Sequence, residues 1–127
     1  DLDRKKAQDV LNTIRAAHPD LGGVYGVNDS MALGAVDVAK EKGLLGKMAI
    51  FGNDGETAAL ESIKAGELTG TQYTDVYQQG RLAAAAATVL ATGGVSATAF
   101  AQQSRLLMPY LITTKDNVDQ IQPSQYW

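Results

Sequence analysis

Amide and carboxylate side chains follow three short apolar segments of this 127-residue chain. They stand at Asn28-Asp29, at Asn53-Asp54 and at Tyr73-Thr74-Asp75. Carboxylates accept hydrogen bonds, and amides both donate and accept them, so these groups suit the vicinal hydroxyls of a polyhydroxylated molecule. The pattern therefore favours a polar binding cleft.

The same residues allow a purely structural interpretation. Asp, Asn and Ser are common at the first positions of helices, where their side chains cap free backbone N–H groups. We expect Asp29 and Ser30 to act in this way. For Asn28 and Asp54 the residues alone leave two roles open, a cap or turn on one side and a ligand contact on the other.

Alternating helical and strand patterns determine where these side chains lie. Apolar spacing predicts helices over Asp3–Ala17, from Asn28-Asp29-Ser30 to Gly43, from about Thr57 to Gly66, and from Val76 to Gly93-Gly94. Strands are predicted at Val24–Val27, at Met48–Phe51 before a loop at Gly52–Gly55, at Leu68–Tyr73, and at Leu106–Ile112 with an interruption at Pro109. This order implies an α/β fold, a parallel sheet with flanking helices, in which the polar strand ends share one edge and ligands bind there.

Three further segments have their own predictions. The alanines Ala83–Ala87 suggest close packing of the last long helix against a neighbouring element, since alanine forms helices with minimal bulk. Val95–Arg105 has no clear periodicity and predicts a surface loop. Thr114–Val118 is typical of a short helix or a turn.

Composition argues against several other classes of protein. The net charge of −3 and the lack of a Lys/Arg cluster predict no nucleic-acid partner, and no apolar stretch approaches the roughly 18 residues of a membrane span. Cysteine is absent, and the single histidine, His18, precedes Pro19 in an expected surface loop, so we predict no metal site. Glycine-rich phosphate motifs are also absent, and Asp54 as an acid or base would lack a catalytic partner. We therefore predict no cofactor and no catalytic residue.

Three segments follow one another in an order that carries further information. Val24–Ala35 reads Val-Tyr-Gly-Val-Asn-Asp-Ser-Met-Ala-Leu-Gly-Ala, Phe51–Gly55 reads Phe-Gly-Asn-Asp-Gly, and Ala58–Thr71 includes Ile-Lys-Ala-Gly-Glu-Leu. Together they resemble the ribose-binding-protein family, the type I periplasmic sugar-binding proteins that deliver ligands to ABC importers. The resemblance covers nearly the whole chain, is weakest over Val95–Arg105, and implies the C-terminal portion of a two-lobed periplasmic-binding-protein-like fold.

The resemblance implies ligand contacts at three positions. The Asn of the family's Asn-Asp motif falls on Asn28, the Asp of its Gly-Phe-Asp-Gly turn falls on Asp54, and both would bond sugar hydroxyls. A polar residue after the next strand, often Gln, falls on Thr74. Because Thr is shorter than Gln, neighbouring Asp75 or Gln72 could take over this contact.

The chain also departs from the family's pattern. Asn53 stands where the family usually has Phe, which would change the packing beneath the turn. Leu2 stands where ribose binders often place an aromatic residue that stacks on the sugar. Leu2 is a further candidate contact, but an aliphatic side chain cannot supply the same stacking, so the resemblance does not identify ribose itself as the ligand. Tyr73 and Tyr77 could stack instead, although we expect both to serve in packing.

The resemblance further implies an incomplete two-lobed protein. Residues 1–75 would belong to the second lobe, and residues 76–127 would include the hinge crossings and elements of the first lobe. A partial sheet leaves an edge and a helix face uncovered, and the chain starts at Asp1 rather than Met. We therefore expect a fragment that needs either the missing N-terminal part of the same protein or a second copy.

The expected function is that of the solute-binding component of an ABC-type sugar importer in the periplasm. Its two lobes would close at a hinge around a monosaccharide or polyol and dock on the membrane permease. The alternative is the effector-binding domain of a lactose-repressor-like transcription regulator, which shares the Asn-Asp-x-Met-Ala-Leu-Gly motif. Ile63–Leu68 and Thr114–Val118 favour the binding protein. An upstream secretory signal would indicate the binding protein, and an upstream helix-turn-helix the regulator.

Overall fold

The structure is a computed structural model that describes residues 2–96, 98 and 109–127. Within these residues, four strands pair into one sheet in the order β1-β2-β3-β4. The strands are β1 Gly23–Tyr25, β2 Ala49–Asp54, β3 Gly70–Thr74 and β4 Tyr110–Thr114. The helices are α1 Arg4–Ala17, α2 Asp29–Glu41, α3 Thr57–Lys64 and α4 Val76–Ala91, followed late in the chain by short 3-10 helices at Val118–Gln120 and Pro123–Gln125. β1 pairs with β2 and β2 with β3 in parallel. The predicted α/β class, a parallel sheet with flanking helices, is confirmed.

The register brings the polar strand ends to the same edge of the sheet. Tyr25 pairs with Phe51, near the end of β1. Further along β2, Asn53 pairs with Gln72 and Asp54 pairs with Tyr73. Since the strands run in parallel, the residues that follow β1 and β2 leave the sheet on one side.

Local signals account for the helix ends. The Oδ1 atom of Asp3 accepts a hydrogen bond from the Lys6 amide at 2.7 Å and begins α1, which ends before His18 and Pro19. The Gly43 backbone, with φ 64°, follows α2 and takes the left-handed conformation that ends many helices. The predicted helices are confirmed at these positions.

The strand limits differ from the predicted ones. β2 does not stop at Phe51, because Gly52, Asn53 and Asp54 continue its pairing with β3, so the predicted loop at Gly52–Gly55 is wrong for its first three residues. β1 ends at Tyr25 rather than Val27, after which the Gly26 amide donates to the Phe51 carbonyl at 2.8 Å. β3 starts at Gly70 rather than Leu68.

The chain divides into two units, and each is described by itself. The first comprises residues 1–73 and 111–127, and the second comprises residues 74–110. The core of the first unit contains side chains from α2, β2, α3 and the late 3-10 segment; those with almost no exposed area include Val36, Val38, Ile50, Leu60, Ile63 and Val118. The first unit therefore has a core of its own beneath the strand ends.

The second unit contains α4, and no residue of this helix is buried. Within the alanine run, Ala86 is half-buried and the others are exposed. The predicted close packing of Ala83–Ala87 is therefore not found among the described residues, and the high helix propensity of alanine accounts for the run there. None of the described helices combines the length and the apolar composition that crossing a bilayer requires.

Two predictions fall partly outside the described residues. Most of the predicted surface loop at Val95–Arg105 lies outside them, as does the beginning of the predicted strand at Leu106–Ile112. The described part of that strand is β4, which begins at Tyr110 directly after Pro109.

Candidate functional site

Asn28 lies between the end of β1 and the first turn of α2. Its Oδ1 atom accepts a hydrogen bond from the Met31 amide at 3.0 Å, which caps the helix. The side chain is half-buried, and its Nδ2 group donates to no other group in the described parts of the chain. Capping and ligand binding are therefore compatible at this residue, because they use different atoms of one amide.

Asp29 is fully buried, and its carboxylate joins three segments of the first unit. Oδ2 accepts from the backbone amides of Gly55 at 2.7 Å and Glu56 at 2.8 Å, and Oδ1 accepts from the Thr71 hydroxyl at 2.6 Å. These bonds connect the start of α2 to the turn after β2 and to β3. The prediction that Asp29 caps its own helix is wrong, because its two oxygens serve amides and a hydroxyl far away in the sequence.

Ser30 also departs from the predicted capping role. Its hydroxyl lies 3.1 Å from both carboxylate oxygens of Glu56, to which it donates. Glu56 precedes α3, so this contact adds a second connection between the starts of α2 and α3.

Burial raises the pKa of the Asp29 carboxyl above its ordinary value. Hydrogen bonds from Thr71, Glu56 and Gly55 stabilise the charged form and oppose this effect, whereas the negative charge of Glu56 adds to it. A buried carboxylate is costly unless its oxygens are hydrogen-bonded. The three donors therefore allow Asp29 to lie inside the unit.

Two glycines make this arrangement sterically possible. A Cβ atom at Gly52 would overlap the Oδ1 atom of Asp29 and lie 3.1 Å from the Cβ of Ala32. Gly55 has φ 86°, and a Cβ there would overlap the ring of Tyr73. The Asp29 carboxylate and the turn after β2 can approach each other only because these side chains are absent.

Asp54 ends β2 in an unusual backbone conformation. Its φ is 115°, and no other non-glycine residue in the described parts of the chain has a positive φ. Its Oδ1 atom accepts a hydrogen bond from the Nδ2 group of Asn53 at 2.6 Å. Both side chains are half-buried, as is that of Gln72, the register partner of Asn53.

The structure brings together two of the predicted site residues. Asn28 precedes Asp29 and Asp54 precedes Gly55 in the chain, and the Gly55 amide donates to the Asp29 carboxylate at 2.7 Å. They therefore lie at one corner of the first unit, at the carboxyl ends of β1 and β2. Leu2 belongs to the same unit and is 68% exposed.

The other predicted residues have different surroundings. Thr74 and Asp75 belong to the second unit, where the Oδ1 atom of Asp75 accepts from the Gln78 amide at 2.9 Å and caps α4. Tyr73 is buried and its hydroxyl donates to the Gln125 carbonyl at 3.0 Å, which confirms the expected packing role, whereas Tyr77 is 53% exposed. The ligand contacts at all of these positions stay predictions.

Sequence reasoning missed the contribution of Thr71. Threonine in a strand is ordinary, and its only signal was a polar side chain at a position that alternation within β3 makes buried. As for metals, no group of three or more His, Cys, Asp and Glu side chains in the described residues is arranged to hold an ion.

Comparison with known proteins identifies the family. Residues 1–94 match the family described as "Periplasmic binding protein domain". The chain belongs to this family. The resemblance noted in the sequence is thereby confirmed.

Relatives of this periplasmic binding protein chain differ in the ligands that their names state. The D-allose-binding periplasmic protein of Escherichia coli K12 is 35% identical over 71 residues, 56% of this chain and 23% of its own length. The xylitol-binding protein of Mycolicibacterium smegmatis is 34% identical over 108 residues, 85% of this chain and 29% of its own length. The chain thus spans about a quarter of these relatives.

A solved structure agrees in fold over almost the whole chain. An ABC transporter solute-binding protein from Bacillus halodurans C-125 with bound myo-inositol matches with a TM-score of 0.83 and 28% identity. The match covers 99% of this chain and 41% of the other one. These relatives are named as binding proteins, which supports the binding-protein hypothesis over the transcription regulator.

Proposed function

We propose that this chain is the C-terminal part of the solute-binding component of an ABC-type sugar importer, located in the periplasm. Its ligand would be a monosaccharide or a polyol. The observation that carries the proposal is the hydrogen bond from the Gly55 amide to the Asp29 carboxylate, which holds the neighbouring residues Asn28 and Asp54 at one corner of the sheet, in a chain of the periplasmic binding protein family. The names of the relatives, which state D-allose, xylitol and myo-inositol, support the same class of ligand.

The atoms at this corner fit vicinal hydroxyl groups. The Nδ2 group of Asn28 can donate to a ligand oxygen while Oδ1 continues to cap α2. The Oδ2 atom of Asp54 accepts no hydrogen bond from the described residues and can take one from a ligand hydroxyl. Such a pair binds a hydroxylated ligand without any step of covalent chemistry, so the proposed protein is a binder and not an enzyme.

We assign the two units of the chain to different lobes. Residues 1–75 would form part of the second lobe, and residues 76–127 would include the hinge crossings and first-lobe elements. The division into residues 1–73 with 111–127 on one side and 74–110 on the other supports this assignment. Thr74 and Asp75 would then lie at a hinge crossing, where Thr74, Asp75 or Gln72 could add a contact that depends on closure. Leu2 remains a weaker candidate in the second lobe.

The proposed partners are the rest of the two-lobed protein and a membrane permease. A groove of about 440 Å³ runs between α1 and β1, and it is lined mostly by apolar side chains such as Val10, Ile14 and Tyr25. β1 is also the edge strand of the described sheet, and Tyr25 is 66% exposed. An uncovered edge beside an apolar groove supports the need for an N-terminal part of the same protein or, failing that, a second copy.

The test is calorimetric titration of the full-length protein that carries this chain with D-allose, D-ribose, xylitol and myo-inositol. The variant Asn28→Asp keeps an oxygen that caps α2 but removes the Nδ2 donor. Because a buried polar group left without its hydrogen-bond partner costs about 1–3 kcal/mol, we expect the affinity for the bound sugar to fall about fivefold to 150-fold.

The matched control is Asp3→Asn, which exchanges the same two residue types at the cap of α1. It should leave the affinity unchanged, and both variants should melt close to the unsubstituted protein. Failure of the unsubstituted protein to bind any of the four compounds would contradict the proposed function. Equal affinities of the two variants would contradict the role of Asn28.

A further inference from the structure

Asp54 holds a conformation that most residues avoid. Its φ of 115° crowds the Cβ atom against the backbone, which is tolerated mainly in glycine. Backbone strain of this kind persists where the surroundings enforce it, and it is common at binding sites. The surroundings of Asp54 therefore hold it in this conformation.

Asn53 supplies a group that fixes the Asp54 carboxylate. Its Nδ2 atom lies 2.6 Å from the Oδ1 atom of Asp54. Since an ionised carboxylate only accepts hydrogen bonds, the nitrogen of the Asn53 amide and not its oxygen must face Asp54. A hydrogen bond to a charged acceptor is among the stronger ones in proteins, so it restricts the rotation of the carboxylate.

The bond leaves the two carboxylate oxygens unequal. Oδ1 is occupied by Asn53, and Oδ2 has no hydrogen-bond partner within the described residues. Asn53 is half-buried and pairs in register with Gln72, so it lies at the polar end of the sheet rather than in the apolar core. Within the described residues, the bond to Asp54 is the one hydrogen bond that the Asn53 side chain makes.

We propose that Asn53 is a positioning residue of the ligand site, an inference that rests on the proposed function. It holds the Asp54 carboxylate so that Oδ2 alone is presented to a single ligand hydroxyl. A side chain without a donor at position 53 would free Oδ1 and allow the carboxylate to rotate, which lowers affinity and relaxes the choice among hydroxyl geometries.

A double-mutant cycle on the full-length protein tests this inference. Asn53→Leu keeps the branched shape and removes the donor, and Asp54→Gly removes the carboxylate while accepting the positive φ. Titration with D-allose, D-ribose, xylitol and myo-inositol should show a fivefold to fiftyfold loss of affinity in Asn53→Leu. In the Asp54→Gly background the same substitution should have no further effect, because no carboxylate remains to be positioned.

Asn12→Leu is the matched control, because it replaces a half-buried amide elsewhere in the chain, on α1. It should leave the affinity unchanged. A structural role of Asn53 would instead lower affinity by the same factor in both backgrounds. Unchanged affinity in Asn53→Leu, or an equal loss with and without Asp54, overturns the inference while leaving the proposed function intact.

A second readout needs no ligand. In ¹H–¹⁵N spectra of the ligand-free protein, the Asn53 side-chain amide protons should exchange slowly with water and lose this protection in Asp54→Gly. If the unsubstituted protein binds none of the four compounds, the proposed function fails, and this measurement decides about Asn53 separately. Protection that does not depend on Asp54 overturns the positioning role.

Discussion

The substitution Thr71→Val tests whether the Asp29 carboxylate holds the start of α2, the turn after β2 and β3 together. It replaces a hydroxyl by a methyl group of the same shape in β3. The lost interaction is the 2.6 Å hydrogen bond from the Thr71 hydroxyl to Oδ1 of Asp29, between two side chains with no exposed area. The two bonds from the Gly55 and Glu56 amides to Oδ2 remain.

The expected loss of stability follows from the kind of bond removed. A hydrogen bond to a charged group contributes about 1.5–3 kcal/mol, and a buried oxygen left without its partner adds the cost of its lost hydration. The extra methyl group regains only part of this. We therefore expect the free energy of unfolding to fall by about 2 kcal/mol, which is roughly a 30-fold change in the folding equilibrium.

Urea denaturation followed by the fluorescence of Trp127 measures this change. Trp127 belongs to the same unit as Thr71, and its carbonyl accepts from Thr57, so its environment changes when the unit unfolds. The matched control is Thr113→Val, since Thr113 is also fully buried but, among the described residues, its hydroxyl donates only to the nearby Leu111 carbonyl at 3.4 Å. That variant should stay within about 0.5 kcal/mol of the unsubstituted chain.

Acidity provides a check on the cause. Because burial already places the pKa of folded Asp29 above its unfolded value, the folded state gains a proton first as the pH falls. Loss of the Thr71 donor raises this pKa further, so the penalty of Thr71→Val should shrink as the pH falls through that pKa. If Thr71→Val and Thr113→Val destabilise equally at neutral pH, or if the difference between them does not depend on pH, the reasoning about Asp29 is wrong.

Two other substitutions test neighbouring parts of the same unit. Asp37 accepts two 2.8 Å hydrogen bonds from the Arg4 guanidinium, which holds the pKa of Asp37 below its ordinary value. Because 48% of the Arg4 side chain is exposed, Asp37→Asn should lower the free energy of unfolding by about 1 kcal/mol or less at pH 7. The lowered pKa of Asp37 stabilises the folded state above the unfolded pKa of about 4, and this stabilisation is lost as the pH falls through the folded pKa. The difference between the urea midpoints of Asp37→Asn and the unsubstituted protein should therefore be smaller at pH 3 than at pH 7, and an equal difference at both contradicts the ion pair as the cause. Gly52→Ala would drive a Cβ atom against Asp29, so we expect a loss of about 3 kcal/mol in the same urea assay, and a neutral result would show that the carboxylate can move aside.

Features of the fold that depend on nearby residues could be predicted from the sequence. The first turn of α1 is fixed by Asp3 and Lys6, three positions apart, and the end of α2 by Gly43. The parallel order of the strands followed from their alternation with helices. Asn28 and Asp54 could be expected to meet, because the carboxyl ends of β1 and β2 share an edge.

The extent of a strand, in contrast, is decided by its partner. Gly52–Gly55 has the composition of a loop, yet Gly52 and Asn53 belong to β2 because Thr71 and Gln72 lie alongside them. No pattern within β2 contains that information. The same limit applies to the alanine run of α4, where propensity alone predicts the helix but not what lies against it.

Asp29 shows most clearly how a local rule and a tertiary contact can compete. At the first turn of a helix an aspartate has two uses, a cap for its own helix or an acceptor for distant donors. Asn28 already provides the cap, so the Asp29 carboxylate is available to bond Gly55, 26 positions away, and Thr71, 42 positions away. As a result, the fold holds the segments that carry Asn28 and Asp54 beside each other. In the proposed site the donor of Asn28 and the acceptor of Asp54 would then be in place in advance, so less of the binding free energy would be spent on ordering side chains.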